Sequence, residues 1–268
     1  ICCEKEAKSV EIKGVKLGLG YEGRTVLQDF DIEIRQGEIT TFVGPNGSGK
    51  STVLKTLTRL LPCRQGTVLC NGTPLPQIAS RAFAQKVGIL PQQHLAPPDF
   101  SVRQLVSFGR VPYQDWHSGN SPEDDAVVEW AMEATGVKKL RDKRICDCSG
   151  GEAQRVWIAA VLAQQPDLLF LDEPTTFLDI SYQYEVMQLV KKLNRENGLG
   201  IIMVLHDLGQ ALEVSDRVVV IKDGKKYAEG PPEAVITTRM LREVYQVDCD
   251  VVRLPGRKRP ILAYREIS

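Results

Sequence analysis

The 268-residue chain carries no net charge, because 34 basic side chains balance 34 acidic ones. A neutral chain has no overall field with which to gather nucleic acid or an anionic bilayer, so any partner has to be met through a local surface. It also lacks an apolar run near the roughly 18 residues that a membrane-spanning helix needs. The longest, Val156 to Ala163 and Ile201 to Leu205, fall far short. No basic start followed by an apolar stretch and a small-residue cleavage site is present, which points away from secretion. The cysteines (Cys2, Cys3, Cys63, Cys70, Cys146, Cys148 and Cys249) are odd in number and scattered, and Cys146 with Cys148 has no second pair at zinc-like spacing. They are expected as reduced thiols of a cytosolic protein. Internal repeats and flexible linkers are missing as well. What remains is ordinary for a globular chain with a sizeable core: 43% hydrophobic and 25% charged residues exclude disorder and a collagen-like rod.

Hydrophobic spacing predicts the elements. Alternation at Phe30, Ile32 and Ile34 predicts a half-exposed antiparallel strand and Ile39 to Val43 a more buried one, together opening the chain as a small β-rich lobe. Val53, Leu54, Leu57, Leu60 and Leu61 recur at helical spacing and predict a helix running up to Pro62. Between about residues 95 and 150 the pattern is that of a helical insert. Ser101 caps one helix there, and Ser121 with Pro122, Glu123, Asp124 and Asp125 opens another that Gly136 closes. Strands at Leu168 to Leu171 and Ile201 to Leu205, separated by a helix with the stripe Val186, Leu189, Val190 and Leu193, imply a parallel sheet. Val218 to Ile221, Asp223-Gly224 and a polar strand through Glu229 read as a hairpin.

Three segments carry chemistry. Gly44-Pro45-Asn46-Gly47-Ser48-Gly49-Lys50-Ser51 fits G-x-x-x-x-G-K-[ST], in which backbone amides and a helix start cradle phosphate oxygens, Lys50 neutralises β and γ charge, and the Ser51 hydroxyl can ligate magnesium. A chance match in a chain of this length is about one in a hundred, and this one stands between a predicted strand and a predicted helix. Leu168 to Leu171 then leads into Asp172 and Glu173; the first can reach the magnesium shell beside Ser51 and the second a water attacking the γ-phosphate. Finally, Ser149, Gly150, Gly151 and Glu152 precede the helical run from Val156, so hydroxyl, amides and helix start form a second anion receptor. A phosphate-loop GTPase is excluded by the absence of an Asn-Lys-x-Asp segment, and a nucleic-acid motor by the neutral charge and the lack of a basic, aromatic-lined strand.

At these residues, over roughly 10 to 240, the sequence resembles the ATP-binding subunits of ABC transporters. The resemblance implies an α/β fold: a RecA-like P-loop NTPase core (10–91 and 156–240) with a small antiparallel β lobe, an inserted helical subdomain (92–155) bearing the signature, and a C-terminal appendix (241–268). It makes Tyr21 the aromatic that stacks on adenine, with Val26 beside it, and adds Thr52 to the nucleotide-binding residues of the phosphate loop. Gln92 becomes a loop glutamine touching magnesium and the attacking water, Asp179 an organiser of a dimer interface, and His206 a switch histidine at the γ-phosphate. Glu173 is then the sole general base or, alternatively, orients water together with His206. ATP and Mg²⁺ are the implied cofactors. The implied assembly is a head-to-tail homodimer, docked by its helical subdomain on a polytopic permease at the inner face of the cell membrane, with a substrate-binding protein as an indirect partner and no nucleic acid. Phe100 to Tyr113, Glu173 to Ile180 and Val204 to Leu208 look like importers of iron chelates, meaning ferric siderophore, haem or cobalamin. A soluble ABC ATPase, as in iron-sulfur cluster assembly, shares every nucleotide residue and is the alternative. The signature departs from Leu-Ser-Gly-Gly-Gln at its ends, with Cys148 and Glu152.

Overall fold

The computed structural model describes residues 9–21, 23–114 and 121–265; the thiol expectation for Cys2 and Cys3 lies outside them. The chain opens with β1 (Glu11–Tyr21) and β2 (Arg24–Arg35), followed by β3 (Ile39–Val43) and α1 (Lys50–Leu57). Next come β4 (Gln65–Cys70), β5 (Thr73–Pro74), α2 (Ser80–Ala84) and β6 (Val87–Leu90). The insert holds α3 (Val102–Ser107), α4 (Pro122–Ala134) and α5 (Gly150–Leu162). After it run β7 (Leu168–Asp172), α6 (Ile180–Asn197), β8 (Gly200–Val204), α7 (Leu208–Val214), β9 (Arg217–Lys222) and β10 (Lys225–Gly230). The C-terminal segment adds α8 (Pro232–Val235), α9 (Thr238–Met240) and the hairpin β11 (Cys249–Val252) with β12 (Ile261–Tyr264).

Two sheets organise these elements. One has the order β2-β1-β4-β5 and is antiparallel; the other has six strands in the order β10-β9-β3-β8-β7-β6. Within the second, β9, β3, β8, β7 and β6 are parallel, and β10 closes one edge as the antiparallel arm of the hairpin. A parallel sheet must be covered on both faces, which is why its strands read as near-continuous apolar runs. Phe42, Phe170, Ile202 and Val204 pack with Val53, Leu54 and Leu57 of α1 and with Leu17, Leu19 and Phe30 of the β lobe. Val43, Leu169, Leu171, Ile201 and Met203 pack on the opposite face with Val156, Val186 and Val190. Each fully buried side chain of this size is worth about 1.5–3 kcal/mol, so packing on both faces stabilises the sheet strongly. Arg217 ties the β lobe to it, pairing with Glu38 at 2.9 Å and donating to the Glu33 carbonyl at 2.6 Å.

Two expectations are corrected. Ile39 to Val43, expected as part of the opening β lobe, is the third strand of the parallel sheet, because all five residues are buried between β8 and β9. The helix expected to reach Pro62 ends at Leu57. The Thr58 hydroxyl donates to the Leu54 carbonyl at 2.9 Å, Arg59 turns left-handed, and Leu60 is left exposed.

The insert is built on the expected caps. Ser101 and Ser121 each close a capping box, with Gln104 and Asp124 as the reciprocal partners. α5 spans the expected boundary at 155/156 and joins the insert to the sheet. Arg110 fastens its far end: the guanidinium meets Asp124 at 2.7 Å, donates to the Ala163 carbonyl at 2.8 Å and lies 3.9 Å over the Tyr113 ring. Both charged side chains are buried, so removing one strands the other without solvent. Arg110→Ala is therefore expected to cost about 3–5 kcal/mol, read as a lower urea midpoint at unchanged slope; an unmoved midpoint contradicts the anchoring role.

Candidate functional site

β3 ends at Val43, and the chain turns sharply into α1. Gly44 sits at φ 149°, where an added Cβ would lie 2.1 Å from the Ile221 carbonyl oxygen of β9, so this position has no room for a side chain. Gly47 and Gly49 also take positive φ, and together they turn the loop back over the start of α1. Lys50 curls inside that loop, donating from Nζ to the carbonyls of Gly44 at 2.9 Å and Pro45 at 3.0 Å. Burial pulls its pKa below the usual lysine value, against the opposing charges of Glu173 and Asp172. The Ser48 hydroxyl is enclosed without a hydrogen-bond partner. An orphaned hydroxyl beside a buried ammonium and a helix start suits an anion with several oxygens.

The two-acid strand ends next to this loop. Ser51, at the second position of α1, donates to Asp172 Oδ1 at 2.8 Å. Burial pushes the Asp172 carboxyl above its ordinary range, and the Ser51 bond opposes that. Glu173 follows at φ 55°, a left-handed conformation uncommon outside glycine, which swings its carboxylate out of the strand direction. Gln92 donates to Oε2 at 2.7 Å and Thr176 to the same oxygen at 3.1 Å, while His206 Nε2 meets Oε1 at 2.6 Å. These donors stand just beyond β6, β7 and β8, which are neighbours in the sheet. The strand ends open on a cavity of about 610 Å³, walled on the other side by Tyr21, Arg24 and Val26 of the β lobe. Asn46, Gly47, Gly49, Lys50, Ser51, Thr52, Gln92, Glu173 and His206 complete its lining together with Thr176.

A second group of expected residues lies elsewhere. Ser149 precedes α5 and closes a capping box: its hydroxyl accepts from the Glu152 amide at 3.3 Å, and its own amide donates to Glu152 Oε2 at 2.9 Å. Gly151 abuts α6 so closely that a Cβ would lie 2.1 Å from the Tyr182 ring, and a Cβ on Gly150 would meet the Leu178 side chain at 3.6 Å. Asp179 begins α6 without a side-chain cap bond. Ser149, Gly150, Gly151, Glu152 and Asp179 do not line the cavity. Sequence reasoning assigned no role to Thr176 or Arg24. A hydroxyl three residues after a carboxylate is a weak signal for the first, and only the β1–β2 hairpin places the second.

Among the described residues, no cluster of three or more His, Cys, Asp or Glu stands ready to hold a metal ion by itself. The Ser51 hydroxyl and Asp172 carboxylate are instead hard oxygen donors of the kind with which magnesium is bound jointly with phosphates. They fit that ion.

Comparison with known proteins agrees with this geometry. The ABC transporter family model matches residues 27–176, from β2 through the phosphate loop to Thr176. The chain belongs to the ABC transporter family, among its ATP-binding subunits. It is 42% identical to the iron(3+)-hydroxamate import ATP-binding protein FhuC of Bacillus subtilis, over 92% of this chain and 91% of that one. Identity to the ferric enterobactin transport ATP-binding protein FepC of Escherichia coli is 39%, over 94% and 93% of the two chains. Among solved structures, cbiO1 of Clostridium perfringens, part of the ABC transporter complex cbiONQ, is 32% identical and superposes with a TM-score of 0.73 over 87% of this chain and 94% of that one. An inward-facing metal-chelate type ABC transporter shares the fold at a TM-score of 0.83 over 97% and 98% of the chains, at 21% identity. The ABC subunit binds ATP and is an ATPase.

Because a Cβ at position 44 collides with backbone rather than with a flexible side chain, Gly44→Ala is expected to weaken ATP binding at least tenfold. Equilibrium titration with a fluorescent ATP analogue, beside a melting curve, measures it; parent-like affinity contradicts the tight passage beneath Ile221.

Proposed function

We propose that this ABC subunit powers an importer of iron chelates, of siderophore, haem or cobalamin type, by closing on ATP as a head-to-tail pair. The observation that carries the reading is the separation of two anion receptors. The Lys50 cradle opens on the cavity, while the Ser149 turn caps a different helix outside it, so a second copy is needed to bring that turn to the same triphosphate. In this reading Tyr21 stacks on adenine beside Val26, and the amides from Asn46 to Thr52 with Lys50 hold the phosphates. Ser51, Asp172 and Gln92 would hold magnesium, which would supply charge neutralisation to the triphosphate. Glu173, fixed by Gln92, Thr176 and His206, orients the attacking water and takes its proton as the bond from the water oxygen to the γ-phosphorus forms and the bond from the γ-phosphorus to the β,γ-bridging oxygen breaks, leaving ADP and inorganic phosphate. Ser149, Gly150, Gly151 and Glu152 of the second copy face the γ-phosphate, and Asp179 lies at the seam. Loss of phosphate after hydrolysis removes the charge that clamps the pair, and it reopens.

The substrate class is supported by relatives that are named as import or transport ATP-binding proteins for iron(3+)-hydroxamate, petrobactin, achromobactin and enterobactin. These names favour transport over the soluble ABC ATPase. No described helix is long and apolar enough to cross a membrane; in this reading the passage itself is formed by a polytopic permease. Leu95, Phe108 and Val111, exposed on the insert, offer it an apolar contact. The subunit then sits peripherally at the inner face of the membrane, and a substrate-binding protein meets the permease rather than this chain.

Two variants test the reading. Lys50→Ala removes the cation of the cradle and is expected to lower ATPase of the membrane-purified complex about 100-fold or more; near-normal turnover contradicts it. Glu173→Gln keeps the cradle and loses the water-orienting charge. It is expected to slow hydrolysis by about 10²–10⁴-fold and to accumulate an ATP-bound dimer on size exclusion, and a chain that stays monomeric with ATP overturns the paired arrangement.

A further inference from the structure

The turn assigned to receive a γ-phosphate contains a carboxylate of its own. Glu152 lies in the first turn of α5, and its Oε2 accepts the Ser149 amide at 2.9 Å. Left uncompensated, that charge would oppose an approaching polyanion at the very amides meant to bind it. The same Oε2 also receives Lys143 Nζ at 2.8 Å. Other cations near the turn are committed elsewhere: Arg155 to Glu185 on α6, and Arg144 to Asp147 at 2.8 Å. Lys143 is itself held by its backbone. Its amide donates to the Leu140 carbonyl at 2.9 Å, and its carbonyl accepts from Val102 at the start of α3, also at 2.9 Å. The lysine bond is the leading cause that holds the Glu152 carboxyl below the usual range, and the Ser149 amide adds to it.

The geometry points to Lys143 as a positioning residue of the second anion receptor, one that neutralises Glu152 so that a turn containing glutamate can accept the γ-phosphate of the facing copy. This rests on the two-copy reading above. Lys143 does not touch the nucleotide. It sets the charge and orientation of the side chain that closes the Ser149 cap, and it does so from a segment clamped to α3.

The test uses the full chain carrying Glu173→Gln and reads the ATP concentration that gives half-maximal dimer, by light scattering on size exclusion. Lys143→Met is expected to raise that concentration about tenfold, and Glu152→Gln added to it is expected to bring the value back to within about threefold of the parent. Lys143→Arg, which keeps the charge, is expected to stay near the parent. Should Lys143→Met lower the melting temperature, Lys143→Gln removes the charge while keeping a donor, and the same rise is expected. A Lys143→Met chain that dimerises at parental ATP overturns the inference and leaves the two-copy reading standing. A defect that Glu152→Gln does not relieve assigns Lys143 a merely structural part and also overturns it. A parent that never dimerises with ATP overturns the two-copy reading and this inference together.

Discussion

Gln92, Thr176 and His206 reach the carboxylate of Glu173 from three different loops, and that convergence is possible only because β6, β7 and β8 are parallel neighbours whose ends open on the same side of the sheet. Hydrogen bonds to a charged group are worth about 1.5–3 kcal/mol each, enough to hold Glu173 in a backbone conformation that a glutamate ordinarily avoids. The phosphate loop depends on the same sheet. β3 delivers it beside β8, and Ile221 of β9 limits what position 44 can be. Two apolar faces, each filled from a different side, keep the strand ends in register and therefore keep the donors around one acid.

How much of this was legible follows from the range of each interaction. The glycine loop, the two-acid strand and the two serine caps are local patterns, and the structure forms a turn, a strand and capping boxes there. Leu60 and Leu61 extend the apolar spacing of the helix after the loop, whereas Thr58 and Arg59 end it through bonds that no periodicity displays. Assigning Ile39 to Val43 to the β lobe failed for a related reason: alternation and burial mark a strand but not the sheet it joins. Arg110 shows no local signal of burial, yet it is a buried anchor, a property that depends on Asp124 and on a carbonyl 53 positions away. Thr176 and Lys143 carry no sequence signal of their own, because their roles belong to the residues they touch.

The β lobe supplies the remaining wall of the cavity. Tyr21, Arg24 and Val26 all sit where β1 turns into β2, a hairpin that closes over the phosphate loop while Arg217 secures the far strand to the core. One wall is thus a sheet end and the other the turn of a ribbon whose inner face, Leu17, Leu19, Leu27 and Phe30, packs into the same core, and the cavity lies between the two.

The contact between Gly151 and Tyr182 has a mechanical consequence. With no side chain between them, the starts of α5 and α6 are in direct van der Waals register, and Leu178 packs beside Gly150. The Ser149 turn and the Asp179 turn are therefore packed directly against one another through the first turns of their helices. A displacement of the helical insert that reaches α5 is thereby handed directly to the first turn of α6, with no flexible side chain on the α5 side to absorb it.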